Sequence, residues 1–441
     1  MNRSTRATVS SGSIVAVAMM VMNVATYGFN LAAARLLVPA EFGALTALLS
    51  LILIANVVAL ALQASIARRI SVHPDHTAQI VLTASRVALA VSLAVGLAVA
   101  LSSPVLTPAF SFDSMWAVIW CGAMLVPLTL AGAQLGVAQG TGRWGKLAAL
   151  YVGNGLGRLF GGVAGVLIEP SATSAMMGLA IGAWLPVLLG AGLLKTSGTG
   201  DVHSRRPLVF ETVASASTLL AYFAFSNVDA LLARGGFEAH DSGLYASGLI
   251  LTKSTLFLPQ FVSVVFFPSL ARDSSHRTRL RAAGLVAVLG LLVVAGSAVL
   301  PQLALILVGG DQYGEVADDL WLFALSGTFL AIVYLLVFDA LARRSTGVAV
   351  LLWVASGTVF AVAWFWSIGI VGLVVTMACV GAVVAALLLA WPLLRPMRGH
   401  DAPAQASADD PVLAEGSALA EDSVTGFVPG AADSDGDVER H

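Results

Sequence analysis

The sequence predicts an all-α polytopic membrane protein, with about twelve transmembrane helices in two parallel-repeat six-helix lobes around a central cavity. Three observations predict it. Charged residues are 11% of the 441-residue chain and hydrophobic residues 58%, whereas soluble domains carry roughly 25% charge. Apolar runs recur along the whole length, each holding the roughly 20 residues that a helix needs to cross the hydrocarbon. Basic residues fall into alternate connections between those runs, as orientation in a membrane requires.

The spans lie near 12–35, 43–66, 79–101, 114–137, 147–168, 174–195, 209–232, 243–268, 280–300, 319–341, 347–367 and 369–393. The last two are separated only by Ser367-Ile368-Gly369 and form a tight hairpin. The first is read as an uncleaved helix despite its basic flank and alanine-rich end. One set of loops and ends carries 17 of the 23 Lys and Arg residues, among them Arg68, Arg69, Arg143, Lys146, Arg205, Arg206, Arg343 and Arg344. The opposite set has only Arg35 and Arg234 and is acidic, with Glu41, Asp113, Glu169, Glu238, Asp241, Asp311 and Glu315. Both termini are therefore expected to be cytoplasmic. Residues 399–441 are rich in Ala, Gly, Ser, Pro and acid and read as a disordered acidic cytoplasmic tail.

A repeat divides the chain. LVPAEFGALTA (37–47) and FEAHDSGLYAS (237–247) each interrupt an apolar run with an acid, one residue, then glycine. At an offset of 200, Glu41, Gly43 and Ala47 meet Asp241, Gly243 and Ser247; one helix earlier, at 199, Ala34-Arg35 meets Ala233-Arg234. Spans 1–2 and 7–8 are thus equivalent. Six spans per half is an even number, so the repeats are parallel about an axis along the membrane normal. The lobes are expected at 1–200 and 201–398, linked by LKTSGTGDVHSRRP (194–207). The motif itself reads as a hairpin: proline stops continuation of the first helix, and the acid favours the positive N-terminal end of the second.

Polar groups inside the spans carry the functional reading. Ser215, Thr218, Tyr222, Ser226 and Asp229 share one face of span 7, and Asn23, Tyr27 and Asn30 one face of span 1. Lipid penalises such faces, so they line a wet cavity or join helices by hydrogen bonds. Arg86, Arg158 and Lys253 interrupt apolar sequence at depth. A cation at mid-membrane costs about 2.5–3.5 kcal/mol on insertion scales. Arg158 and Lys253, near the middle of their spans, therefore either contact substrate or pair inside the protein, whereas Arg86, closer to the cytoplasmic edge, can also snorkel there. No equal set of deep acids accompanies them, which points to an anionic substrate. Gly153, Gly157 and Gly161 in GNGLGRLFG make a packing face on span 5. GTGRWG (140–145) matches a nucleotide-binding pattern, but no strand precedes it and it lies in a loop. Cys121 and Cys379 lie in apolar runs and read as packing residues, and the seven histidines show no metal-ligand spacing.

ARLLVPAEFGALTALLSLI (34–52), NVDALLARGGFEAHDSGLYASGLILTKSTLFLPQFVSVVFFPSLAR (227–272) and LVGGDQYGEVADDLWLFAL (307–325) resemble the polysaccharide-biosynthesis flippases. These export lipid-linked oligosaccharides and belong to the multidrug/oligosaccharidyl-lipid/polysaccharide exporter superfamily. The resemblance rests on Asp229, on Gly243-Leu244-Tyr245 with Ser247, and on Phe267-Pro268, in that order and spacing. It implies a non-enzymatic flippase of the bacterial cytoplasmic membrane that moves a polyprenyl-pyrophosphate-linked glycan by alternating access. The resemblance also implies a cationic cavity, with which Arg86, Arg158 and Lys253 are compatible and of which Lys253 alone falls near a basic position of the family. The polar faces of Asn23, Tyr27, Asn30, Tyr222 and Ser226 are expected to line it, and Asp229 is the candidate acid for coupling to a proton or Na⁺. A glycan polymerase or glycosyltransferase is an implied partner, nucleic acid is not, and no cofactor is implied. The alternatives are a multidrug/cation antiporter of the same superfamily, which needs deep acids, and a membrane glycan ligase or polymerase. The last needs a substantial outer loop with catalytic groups, and 301–318, the longest outer segment, has no His.

Overall fold

In the absence of water, backbone amides and carbonyls must pair within their own segment, and helices meet that demand. The computed structural model describes residues 3–194, 217–255, 276–342, 347–366 and 368–394, and among them there is no strand. Nine described segments are long and apolar enough to cross a membrane. Ser215, Phe267-Pro268, most of the 194–207 link and the 399–441 tail lie outside the described residues.

The N-terminal half begins with α1 (Arg3–Leu36), then α2 (Pro39–Ala55) and α3 (Val57–Val72), which together make one span with a turn at Asn56. There follow α4 (Thr77–Leu101), the short α5 (Ser103–Ala109), α6 (Met115–Gly140), α7 (Trp144–Ile168), α8 (Ala172–Gly182) and α9 (Trp184–Leu189). α7 is the hub, packed between α1 and α8. Its Gly157 and Gly161 lie against the backbone of Gly182 and Gly178, so the glycine face is a helix-packing face.

The C-terminal half opens with α10 (217–225), α11 (Val228–Gly236) and α12 (Ala239–Thr255). It continues with α13 (His276–Val299), α14 (Pro301–Val308), α15 (Leu320–Ala342), α16 (Gly347–Trp366) and α17 (Ile370–Leu394). α15 packs against α12, α13 and α17. The expected single span over 209–232 is broken: α10 stops at Ser226-Asn227 and α11 starts anew at Val228.

Each repeated hairpin has the expected local form. α1 ends at Leu36 and Pro39 opens α2 at its first helical position; α11 ends at Gly236 and Ala239 opens α12. The two hairpins also touch. α2 packs along α12, and a Cβ on Gly43 would stand 2.8 Å from the Gly243 amide nitrogen. Glycine at both positions lets the two helix starts meet backbone to backbone.

The buried core shows how the halves relate. At the end of the bundle that carries the hairpins and the acidic residues, one cluster runs through both halves, from Phe29, Leu37, Phe42 and Leu48 to Leu244, Ile250, Leu305 and Leu320. At the opposite, basic end of the N-terminal half, Val15, Met19, Ile66, Leu147 and Tyr151 form a core of their own. The C-terminal half has its separate core around Tyr222, Phe323, Leu336 and Met377. Among the described residues, the halves are joined at the acidic end.

Candidate functional site

The break in the seventh span creates the site. An asparagine beside a serine ends α10, and the Asn-Val-Asp sequence restarts the chain as α11, with Asp229 in the first turn where the helix dipole favours an acid. Asn227 turns its amide back, donating to the Phe223 carbonyl at 2.9 Å and the Ser226 hydroxyl at 3.1 Å. That leaves its Oδ1 to accept from Lys253 Nζ at 3.0 Å. Asp229 is 2% exposed. Its carboxylate accepts from the Ala230 amide at 2.8 Å and from the Tyr245 hydroxyl at 3.1 Å, and it lies in the field of the Lys253 ammonium.

Lys253 feels a second charge, the Arg158 guanidinium of α7. The glycine contacts with α8 fix the position of α7, and Arg158 lies with its guanidinium carbon 6.0 Å from the Phe29 ring centre. Its Nε is buried and has no hydrogen-bond partner among the described residues. From the α1 side, the Tyr27 hydroxyl donates to the Leu307 carbonyl at 2.9 Å and reaches the Ser254 hydroxyl, next to Lys253. Lys253 thus stands in the field of two charges, the Asp229 carboxylate of its own half and the Arg158 cation of the other. A buried cation without a counter-charge is costly, and the cost falls when an anion occupies the space beside it.

The predicted residues divide. Lys253 lies in the fields of both Arg158 and Asp229, with Tyr27 close to the adjacent Ser254. Asn23 and Asn30 are half-buried on α1 beside Tyr27. Ser226 is buried at the break, where it accepts from Asn227. Tyr222, expected as a lining residue, is instead packed in the C-terminal core, its ring against Phe223 and Tyr334 at 5.5 Å each. The break after Ser226 is the reason: the 3.6-residue face that joins Tyr222 to Asp229 does not continue through it. Arg86 does not join the cluster either. It is exposed on the face of α4 that also carries Leu89, Leu93, Leu97 and Leu101, an outward apolar stripe, and its long side chain can follow that surface toward the basic end. Asn227, Tyr245 and Ser254 were not anticipated. Asn227-Val228-Asp229 carries a helix-start signal, an asparagine cap followed by a first-turn acid, hidden inside an apolar run.

A second polar cluster closes the acidic end. Arg234 of α11 donates to the Ala40 carbonyl at 3.1 Å, the Ser242 hydroxyl at 3.2 Å and the Ser111 carbonyl at 2.7 Å, and lies 5.9 Å from the Phe112 ring centre. Arg35, its equivalent in the repeat, donates to the Ile306 carbonyl at 3.0 Å. Each repeated arginine therefore reaches across into the other half. Glu41 accepts from the Ala172 amide at 2.6 Å, holding the first turn of α8.

No protein-family profile matches the sequence, and no curated protein matches it significantly. Solved structures do match. The inward-facing conformation of a multidrug resistance MATE family transporter of the MOP superfamily aligns with TM-score 0.65 at 12% identity, over 86% of this chain and 94% of that one. This chain has that fold. The outward-facing conformation of such a transporter aligns with TM-score 0.61 at 13% identity, over 88% and 95%. A MOP superfamily transporter from Pyrococcus furiosus, described by the reverse polarity of its binding pocket, aligns with TM-score 0.60 at 13% identity, over 88% and 95%.

Proposed function

We propose that this protein is a flippase that carries an anionic lipid-linked glycan, a polyprenyl-pyrophosphate-linked oligosaccharide or polysaccharide precursor, across the bacterial cytoplasmic membrane by alternating access. The observation that carries the reading is Lys253 in the field of Arg158, a cation from the opposite half, with Arg158 Nε buried and unpartnered among the described residues. A diphosphate supplies the missing negative charge and several acceptor oxygens, while its glycan replaces water in the gap and its lipid tail stays in the bilayer. The lobes at 1–200 and 201–398 are the moving bodies, and the basic end, with both termini, faces the cytoplasm. Substrate enters there, and release requires the halves to part at the acidic end. Glycan polymerases or glycosyltransferases are the partners such a carrier serves. The MATE-type fold accommodates this reading, since one similar transporter is itself described by a reversed pocket polarity.

A multidrug/cation antiporter is the second reading, favoured by the buried Asp229. Here that carboxylate already faces a cation of the protein's own, Lys253. Reconstitution in vesicles with a polyprenyl-diphosphate glycan tests the choice. Wild type should transfer it between leaflets. Arg158→Ala and Lys253→Ala should each lower transfer about 10–100-fold, the worth of one charge-assisted contact. Undiminished transfer by both variants overturns the cationic site, and export of an amphipathic cation without glycan transfer favours the antiporter.

A further inference from the structure

We propose that occupation of Arg158 and Lys253 by a diphosphate-linked lipid draws a proton onto Asp229, so that substrate and proton occupy the site together. The inference rests on the anionic-substrate reading above and deepens it. Lys253 lies between two claims: it is held by Asn227 Oδ1 at 3.0 Å and by the charge of Asp229, yet it also lies in the field of Arg158. Asp229 is buried, and among the described residues its neutral partners are the Ala230 amide, its own amide and the Tyr245 hydroxyl.

The surroundings offer no substitute. α11 packs against α2, α12, α16 and α17. The described lengths of α16 and α17 hold no Lys, Arg, His, Asp or Glu. α12 contributes Tyr245 and Lys253 here, with His240 and Asp241 at its far start. α2 contributes only Glu41, which is engaged at the start of α8. Arg234, on α11 itself, is turned toward Ala40, Ser111 and Ser242. When a phosphate takes Lys253, Asp229 loses its nearby positive charge, with nothing among the described residues to replace it.

The charge count points the same way. Two cations and one carboxylate leave the empty site with a single positive charge. A diphosphate diester brings two negative charges and would leave the filled site net negative in a poorly solvated space. One proton taken from water onto Asp229 restores neutrality. A monophosphate diester brings one negative charge and balances the site without a proton. On release, Lys253 returns to the field of Asp229 and the proton leaves, so the empty site regains its single positive charge.

The test is calorimetric titration of the detergent-solubilised full chain with a short-chain polyprenyl-diphosphate disaccharide and with the matching monophosphate. Each is titrated in two buffers of different ionisation enthalpy. The diphosphate should bind with uptake of about one proton, and its Kd should weaken about tenfold per pH unit across the range of uptake. The monophosphate should bind without either effect. Asp229→Asn should bind the diphosphate with no buffer dependence; if that variant does not fold, the two lipids on wild type carry the test alone. Diphosphate binding by wild type that is independent of buffer and flat with pH overturns the proton linkage and leaves the anion site standing. Uptake that persists in Asp229→Asn overturns the role of Asp229. Failure of wild type to bind either lipid overturns both this inference and the reading beneath it.

Discussion

Lys253 and Arg158 are both deep cations, but the protein treats them differently, and that difference is measurable. Lys253 has an acceptor and a carboxylate, so Lys253→Ala leaves Asp229 buried without a counter-charge and should cost of order 3 kcal/mol of stability. Adding Asp229→Asn should recover most of that loss, because the stranded charge disappears. Among the described residues the contact of the Arg158 guanidinium is the Phe29 ring, so Arg158→Ala should change stability by no more than about 1 kcal/mol while lowering transfer about 10–100-fold. Thermal melts of the three variants check this, and a large destabilisation by Arg158→Ala would mark it as a structural residue. These charges were legible in the sequence because a cation inside an apolar run stands out whatever the fold. Their company was not. Arg86 gives the same signal, yet α4 turns it outward, and a helix apolar on all sides does not disclose which face meets lipid. Asn227 escaped notice because a break in a span is a tertiary outcome: the five-residue stripe from Ser215 to Asp229 fits an unbroken helix equally well.

At the scale of the element, the repeated hairpins do more than turn the chain. Pro39 and the acid-glycine motif specify a helix start, and that much follows from local chemistry. The contact between the two starts does not, since it pairs residues 200 positions apart in the sequence. Arg35 and Arg234 are likewise reciprocal, each hydrogen-bonding the opposite half. Gly243→Val would drive a side chain into the Pro39 backbone, and Arg234→Ala would remove three hydrogen bonds that hold the acidic end together. Both should shift the protein toward separation there. With Cys379 replaced by Ser, a cysteine at Ser242, 2% exposed here, should react with a membrane-impermeant maleimide about ten times faster in either background, the effect of shifting a two-state balance by roughly 1.4 kcal/mol. Unchanged labelling would mean that these contacts do not hold the closure.

At the scale of the whole molecule, the helical architecture was legible because lipid leaves few alternatives, and nine described segments satisfy length and apolarity outright. The arrangement of the halves was not, because it depends on which end shares a core. Phe29, Phe42, Leu244 and Leu305 belong to one cluster at the acidic end, whereas Val15 and Ile66 at the basic end of the N-terminal half belong to another. If transport proceeds by alternating access, the shared core must come apart once per cycle, and fixing it should stop transfer without harming the site. Arg35 and Ile306 are suited to this: both are exposed, they lie in opposite halves, and they are joined by a 3.0 Å hydrogen bond. Arg35→Cys with Ile306→Cys, in a Cys379→Ser background, can be bridged by a short cleavable bis-thiosulfonate reagent. The bridged protein should still bind the diphosphate lipid from the basic side, because Arg158 and Lys253 are untouched, but glycan transfer should fall to background. Reductant should restore it. Each single-cysteine protein treated alike should transfer normally, which separates the bridge from the modification. Full transfer by the bridged protein would mean that the halves need not part at this end, and the substrate's path would then have to avoid the acidic closure altogether.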